Sequence, residues 1–256
     1  MCHDARGNVL AYCCVTDDTL CIDLPDLASF YYQYGDEDVR AVPRADFDRE
    51  LLLDTYHHCV LPLILPALGT SVLHASAILG PHGVAVFCAT SGTGKSTVAA
   101  GLARRGYALW ADDAVAFEVN ARQAIAIPLP FAARLRPDAA QFFGSMGWPS
   151  NPMACSLDER APIAYLSLLE RVANQAAPVE VKRLDPPSAC KAALGHAYCF
   201  SAKDPVQKRR TVGSYLTLTA RVPAYEVRFK PGLEHLSTVL DTVEGLMHST
   251  PASAVS

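Results

Sequence analysis

The sequence predicts an α/β fold in which helices cover a mixed sheet. Three observations predict it. A wholly apolar run, Val84-Ala85-Val86-Phe87-Cys88, is followed by a glycine-rich turn and then by a segment of helical periodicity. Strand-like and helix-like segments alternate along most of the remaining chain. Half of the 256 residues are hydrophobic and 19% are charged, so a sizeable core can be buried.

Residues 1–45 read as a small N-terminal β-rich unit. Val9–Val15, Leu20–Leu24 and Phe30–Tyr34 are apolar or aromatic runs separated by Asp-rich and Pro-containing turns. Residues 46–248 read as the main domain. Asp46 is expected to cap a helix through Phe47, Leu51, Leu52 and Tyr56, ending around Val60–Pro66, where Pro62 and Pro66 interrupt it. Gly69 then allows a turn. Ser71–Leu79 alternates as a strand, with His74 and Ser76 on one face and Leu73, Ala75 and Ala77 on the other.

Gly80–Gly83 is a tight turn, and Val84–Cys88 is apolar on both faces, as a central strand would be. After the glycine-rich loop, a helix places Val98 and Leu102 on one face and stops at Gly106. Tyr107–Ala111 returns as a strand and ends at Asp112-Asp113. Strands are further predicted over Ala114–Val119, Ala124–Ile127, Ile163–Leu169 and Tyr225–Phe229. Helices are predicted over Asp138–Phe143, Ser188–Ala197 and Leu233–Met247. Residues 249–256, rich in small side chains, are expected to be a disordered tail.

Composition excludes some partners. The formal net charge is −4 and the basic residues are scattered, apart from Lys208-Arg209-Arg210, which reads as a solvated loop. A sequence-independent nucleic-acid binder needs a strong basic field, so nucleic acid is not expected as a partner. The nine cysteines include no Cys-x-x-Cys pair, which fits reduced thiols in a cytoplasmic protein better than disulfides or a zinc site. No apolar signal region follows the polar Met1–Gly7, and the most apolar stretch, Val60–Leu68, is short and interrupted by prolines. A soluble protein without a membrane partner is the expectation.

The glycine-rich loop carries the clearest chemistry. Ala89-Thr90-Ser91-Gly92-Thr93-Gly94-Lys95-Ser96-Thr97 fits Gly-x-x-x-x-Gly-Lys-Ser/Thr at every fixed position except the first, where Ala89 adds one methyl. Gly92 and Gly94 permit backbone conformations that a Cβ would block. Successive N–H groups can then converge on an anion at a helix N-terminus. Lys95 supplies a point charge for the β- and γ-phosphates, and the Ser96 hydroxyl is placed to ligate Mg²⁺. Ser91–Thr97 is therefore expected to bind a nucleoside triphosphate.

Asp112 and Asp113 fall at the end of the next strand, and ligands of open α/β sheets sit beyond the carboxyl ends of strands. One acid can serve Mg²⁺ while the other accepts a proton from an attacking hydroxyl. His74, on the strand before the loop, could orient or tune an acid of that pair, although strand histidines more often simply pack.

Three segments together carry a resemblance. Leu73–Leu79, Thr90–Thr97 and Arg105–Val115 resemble, in order and spacing, the catalytic domain of HPr serine kinase/phosphorylase. The matched block covers residues 72–117, under a fifth of the chain. The resemblance implies a P-loop kinase domain of that family's C-terminal type, with ATP and Mg²⁺ as cofactors. It implies phosphate contact by Lys95, Mg²⁺ ligation by Ser96 and general-base action by Asp112. It further implies metal or phosphate contact by Asp113 and support of Asp112 by His74. Oligomeric assembly in that family makes a homo-oligomer an expectation here.

The chain also departs from that family. Where a glycine-rich segment with a metal-linked glutamate should follow the acid pair, Ile127–Pro137 contains no acid. Pro-x-x-x-Arg-Leu-Arg-Pro, Leu168-Leu169-Glu170-Arg171 and Val222-Pro223-Ala224-Tyr225 look instead like shorter relatives, some of which resemble lasso-peptide precursor kinases. A peptide or small-protein serine is the acceptor this implies. Arg134 and Arg136 could then contact phosphate or a peptide carboxylate, or be plain surface arginines. The competing readings are a P-loop ATPase or GTPase, a nucleotide-binding regulatory module, and a kinase of HPr or of a small-molecule hydroxyl.

Overall fold

A computed structural model describes residues 2–3, 9–16, 19–131, 135, 137–144, 159–198 and 205–249. Arg134, Arg136 and the tail beyond Ser249 lie outside the described residues.

Near the N-terminus, antiparallel strands pair in chain order as one sheet: β1 (Cys2–His3), β2 (Val9–Val15), β3 (Thr19–Leu24), β4 (Ala28–Gln33) and β5 (Arg40–Pro43). Alternation sets its faces. Leu20 and Ile22 of β3 and Ala28, Phe30 and Tyr32 of β4 are buried, while Tyr12 and Tyr31 remain exposed.

A continuous helical run closes the inner face: α1 (Arg49–Thr55), a π-turn over Tyr56–Val60, and α2 (Leu61–Leu68). Val60 and Ile64 join Leu20, Phe30 and Tyr32 in one apolar cluster. The cap is Asp48 rather than Asp46, because Asp48 Oδ1 accepts from the N–H groups of Glu50 and Leu51 at 2.8 and 3.2 Å. The prolines do not end the run. Pro62 occupies the first turn of α2, where a missing N–H costs little, and Pro66 is accommodated inside the helix. Gly69 then stops it in a left-handed conformation, φ 95°. The 20 residues Arg49–Leu68 are thus long and apolar enough, by length and composition alone, to cross a bilayer. Here their inner side packs on the sheet.

The remaining strands form a second sheet. Along the chain come β6 (Ser71–Leu73), β7 (Ala75–Gly80), β8 (Gly83–Cys88), α3 (Lys95–Arg104), β9 (Ala108–Ala111), β10 (Val115–Val119) and β11 (Ala124–Ile127). Then follow α4 (Pro137–Gly144), β12 (Ala161–Arg171), β13 (Val179–Arg183), α5 (Pro186–Leu194), α6 (Pro205–Arg221) and β14 (Ala224–Phe229). A 3-10 turn at Leu233–His235 leads into α7 (Leu236–Ser249).

Strands β8, β12 and β14 lie parallel, and β9 runs in the same sense because β7 is antiparallel to both β8 and β9. The carboxyl ends of these four strands therefore share one edge. Every residue of β8 is buried, and its alternate side chains feed two apolar layers. Val84, Val86 and Cys88 face Ala193 of α5 and Tyr215 and Leu218 of α6. Ala85 and Phe87 face Val98 and Leu102 of α3 and Val239 and Val243 of α7. This is a mixed sheet with helices on both faces. Close packing explains Gly83, where a Cβ would sit 2.2 Å from the Pro162 carbonyl oxygen.

Two elements depart from the sequence reading. Lys208, Arg209 and Arg210 lie on α6 rather than in a loop, although all three are exposed. The strand predicted over Ser71–Leu79 breaks at His74, where pairing passes from β10 to β8 and β9.

Candidate functional site

The loop between β8 and α3 has the backbone its glycines predict. Gly92 and Gly94 take φ values of 85° and 118°, a region L side chains rarely enter. Gly94 is the N-cap of α3, so the first amides of the helix face the loop interior. The Thr90 and Thr93 hydroxyls bond each other at 2.9 Å and brace the turn. A cavity of about 290 Å³ opens over this loop. Ser91, Gly92, Gly94, Lys95, Ser96 and Thr97 line it from the loop, Asp113 from the end of β9, and Asp138 and Arg171 from the opposite side. Thr93, 9% exposed, lines the adjoining cavity instead.

The two acids diverge. Asp112 is 4% exposed, and its Oδ1 accepts from both the Ser76 hydroxyl, at 2.7 Å, and the Ser96 hydroxyl, at 2.8 Å. A buried carboxylate is stabilised by such donors, which replace part of its lost hydration. Asp113 has φ 66°, the sole positive φ at a non-glycine among the described residues. That turn sends the second side chain to the cavity wall while the first points inward. A conformation of this kind costs on the order of 1 kcal/mol or more and tends to persist at working sites.

Lys95 and His74 meet. Lys95 Nζ donates to the Ala89 carbonyl at 3.0 Å and lies 3.0 Å from His74 Nε2. A lysine ammonium has no lone pair, so Nε2 must accept. The ring hydrogen then sits on Nδ1 and is donated to the Asp113 carbonyl at 3.1 Å. This arrangement needs a neutral imidazole. Burial pushes the His74 pKa down, and the Lys95 charge pushes it further in the same direction. The ring hydrogen bonds of His74 go to Lys95 and to the Asp113 backbone, and Ser76 and Ser96 bond Asp112, so what reaches from His74 to Asp112 is an electrostatic interaction across the site.

Several residues of the site were not singled out from the sequence. His196 accepts the His74 backbone N–H at 2.7 Å through its carbonyl. Its own ring pKa is lowered by burial, then by Lys95 and His74. The Tyr198 ring packs edge-on against His74, with centroids 6.1 Å apart. Burial, assisted by the Asp113 charge, pushes the Tyr198 pKa up to about 12. A bridge between Leu73 and Ala197 brings this segment beside the loop from far along the chain. Arg171, the last residue of β12, places a guanidinium nitrogen 3.4 Å from where a Gly94 Cβ would be. Neither Arg171 nor Asp138 has a hydrogen-bond or ion-pair partner among the described residues.

The donor set suits Mg²⁺, a hard cation that takes oxygen ligands. The Ser96 hydroxyl donates its hydrogen to Asp112, which leaves its lone pairs toward the cavity. Among the described residues no cluster of three or more His, Cys, Asp or Glu side chains is gathered for a metal held by protein alone. A cation here would share its ligands with a bound phosphate.

Fold and loop together define a mixed α/β domain with a helix-capped anion site at the carboxyl edge of its sheet. No protein-family model matches the chain, and no curated protein matches it. Among solved structures it is similar to the HPr(Ser) kinase/phosphatase from Coxiella burnetii, at 12% identity and a TM-score of 0.35, with 69% of this chain and 93% of that chain covered. At that level the likeness carries neither fold nor activity.

Proposed function

We propose that the chain is a phosphotransferase that uses Mg²⁺ and ATP to phosphorylate a serine hydroxyl on a peptide or small protein, a lasso-peptide precursor being one such acceptor. One observation carries this reading: the hydroxyl of Ser96, in the anion loop, is bonded to a buried aspartate, while the adjacent aspartate fronts the same cavity. A phosphate-binding loop alone would hold a triphosphate. A second, cavity-facing carboxylate supplies a group that can take a proton from an incoming hydroxyl.

In this reading the two aspartates divide the labour. Asp112 is committed to Ser96 and serves the metal side. Asp113, on the cavity wall, takes the acceptor's proton as the base, which reverses the roles implied by the resemblance. Lys95 leaves the Ala89 carbonyl to meet the phosphates, and neutral His74 leaves its charge undiminished. Bound Mg²⁺ would neutralise charge on the β- and γ-phosphate oxygens. The chain's own residues bind the triphosphate, orient the acceptor and hold its proton at the Asp113 carboxylate.

The test is mass spectrometry of serine-bearing peptides, including candidate precursors, incubated with the protein, Mg²⁺ and ATP. A gain of one phosphate on a serine supports the proposal. Release of free phosphate with every acceptor unmodified would make the chain a hydrolase, and no turnover would leave a binding module. The two aspartates separate by their responses: Asp112→Asn should raise the Mg²⁺ concentration needed, and Asp113→Asn should lower turnover with ATP affinity retained.

A further inference from the structure

A second cavity, of about 230 Å³, adjoins the phosphate cavity on the side away from Asp113. The two share Gly94, Thr97, Asp138 and Arg171. Their linings differ. The phosphate cavity is bounded by loop amides, hydroxyls and charges, whereas Val98, Phe229, Leu233, Leu236 and Val239 wall the second. Ligand sites commonly combine such an apolar slot with a few polar groups that fix orientation.

We infer that the second cavity receives the nucleobase of the triphosphate bound at Ser91–Thr97, and that the shared residues meet the ribose between them. This deepens the proposed function and rests on it. The order of the linings along the edge, apolar, mixed, then anionic-binding, matches base, ribose and phosphates. Asp138, whose carboxylate has no partner among the described residues, stands at the junction, and a carboxylate there would repel phosphate but accept from ribose hydroxyls. Arg171 lies beside it, its guanidinium without a partner among the described residues, and a guanidinium can lie on an aromatic face or reach a phosphate oxygen. Leu233, on the 3-10 turn before α7, is half-buried at the rim and sets how much room the base has.

The experiment is isothermal titration of Mg·ATP and of Mg·tripolyphosphate, a probe with the phosphates and no nucleoside, into the full chain and two variants. The wild type should bind Mg·ATP at least tenfold more tightly than tripolyphosphate. Leu233→Trp, which fills the slot, should bring ATP down to the tripolyphosphate level and leave tripolyphosphate unchanged. Asp138→Ala, at an exposed position, should narrow the gap between the ligands should the tryptophan variant not fold. Equal binding of the two probes by the wild type, or ATP binding unaffected in both variants, would overturn the base site while the phosphate loop stands. Absence of binding by either probe would instead remove the phosphate-loop reading, and the base site with it.

Discussion

The two edges of the second sheet make an instructive contrast. The larger cavity, about 710 Å³, lies at the amino end of β14, between Arg183, Asp185 and the Thr219–Ala224 corner. The cavity at the carboxyl edge is less than half that size. Yet the smaller one gathers two positive-φ glycines, a buried aspartate with two hydroxyl donors, and a lysine paired with a neutral histidine. The larger is a gap between helix ends, where Arg221 is spent on the Ala121 carbonyl. Volume and the gathering of fixed polar groups therefore part company in this fold. Parallel β8, β9 and β12 deliver the polar groups to the carboxyl edge.

Substitutions at the two edges should differ sharply. The largest effect is expected at Asp113. If Asp113 is the base as proposed, Asp113→Asn should cut phosphate transfer by about 10²–10⁴-fold, the usual contribution of general-base catalysis. Asp185→Asn at the other edge should leave transfer within about twofold, as surface changes remote from a site do. Single-turnover assays with labelled ATP would check both. Equal losses at the two edges would break the contrast.

Ser76→Ala comes next. It removes one of two donors from a buried carboxylate, and thermal or urea unfolding should show a loss of about 1–3 kcal/mol. A neutral result would mean that the second donor, Ser96, satisfies Asp112 alone.

The smallest expected effect is on pH dependence. The His74 and His196 pKa values are lowered on folding, so between the folded value and the ordinary histidine range the unfolded chain binds more protons. Stability should then fall as pH drops below about 6.5, the unperturbed histidine value, and be unaffected by these groups above it. His74→Gln keeps an acceptor for Lys95 and a donor for the Asp113 carbonyl but cannot titrate. Melting curves from pH 8 to 5 should show a shallower acid decline in that variant. Identical declines would show that protonation of His74 does not limit stability.

The residues from β7 to β10 were legible because their signals are local. An apolar strand, two glycines, a lysine and an acid pair stand within a few turns of one another. The fully buried β8 announces itself by lacking polar residues at either parity. Other parts carried no local signal. Helix α6 opens with exposed Val206, Lys208, Arg209 and Arg210 around a buried polar Gln207, and its buried hydrophobics, Tyr215 and Leu218, come only in its second half. Strand β13 is exposed over Glu180–Arg183, so no alternation marked it. His196 and Tyr198 reach the site through one bridge to Leu73, a contact that no spacing rule foretells. The different placement of the two acids was equally hidden. Neighbouring aspartates look alike in sequence, and the left-handed turn at Asp113 is what separates them.

The central claim is that the Ser91–Thr97 edge, and not the larger cavity, holds the triphosphate. Calorimetric titration of Mg·ATP into the wild type, Lys95→Ala and Arg183→Ala tests it most directly. One saturable site is expected in the wild type, weakened roughly 10- to 100-fold by loss of the Lys95 charge, as for a charge-assisted contact of about 1.5–3 kcal/mol, and unchanged by Arg183→Ala. Undiminished binding by Lys95→Ala, or binding lost with Arg183, would contradict it.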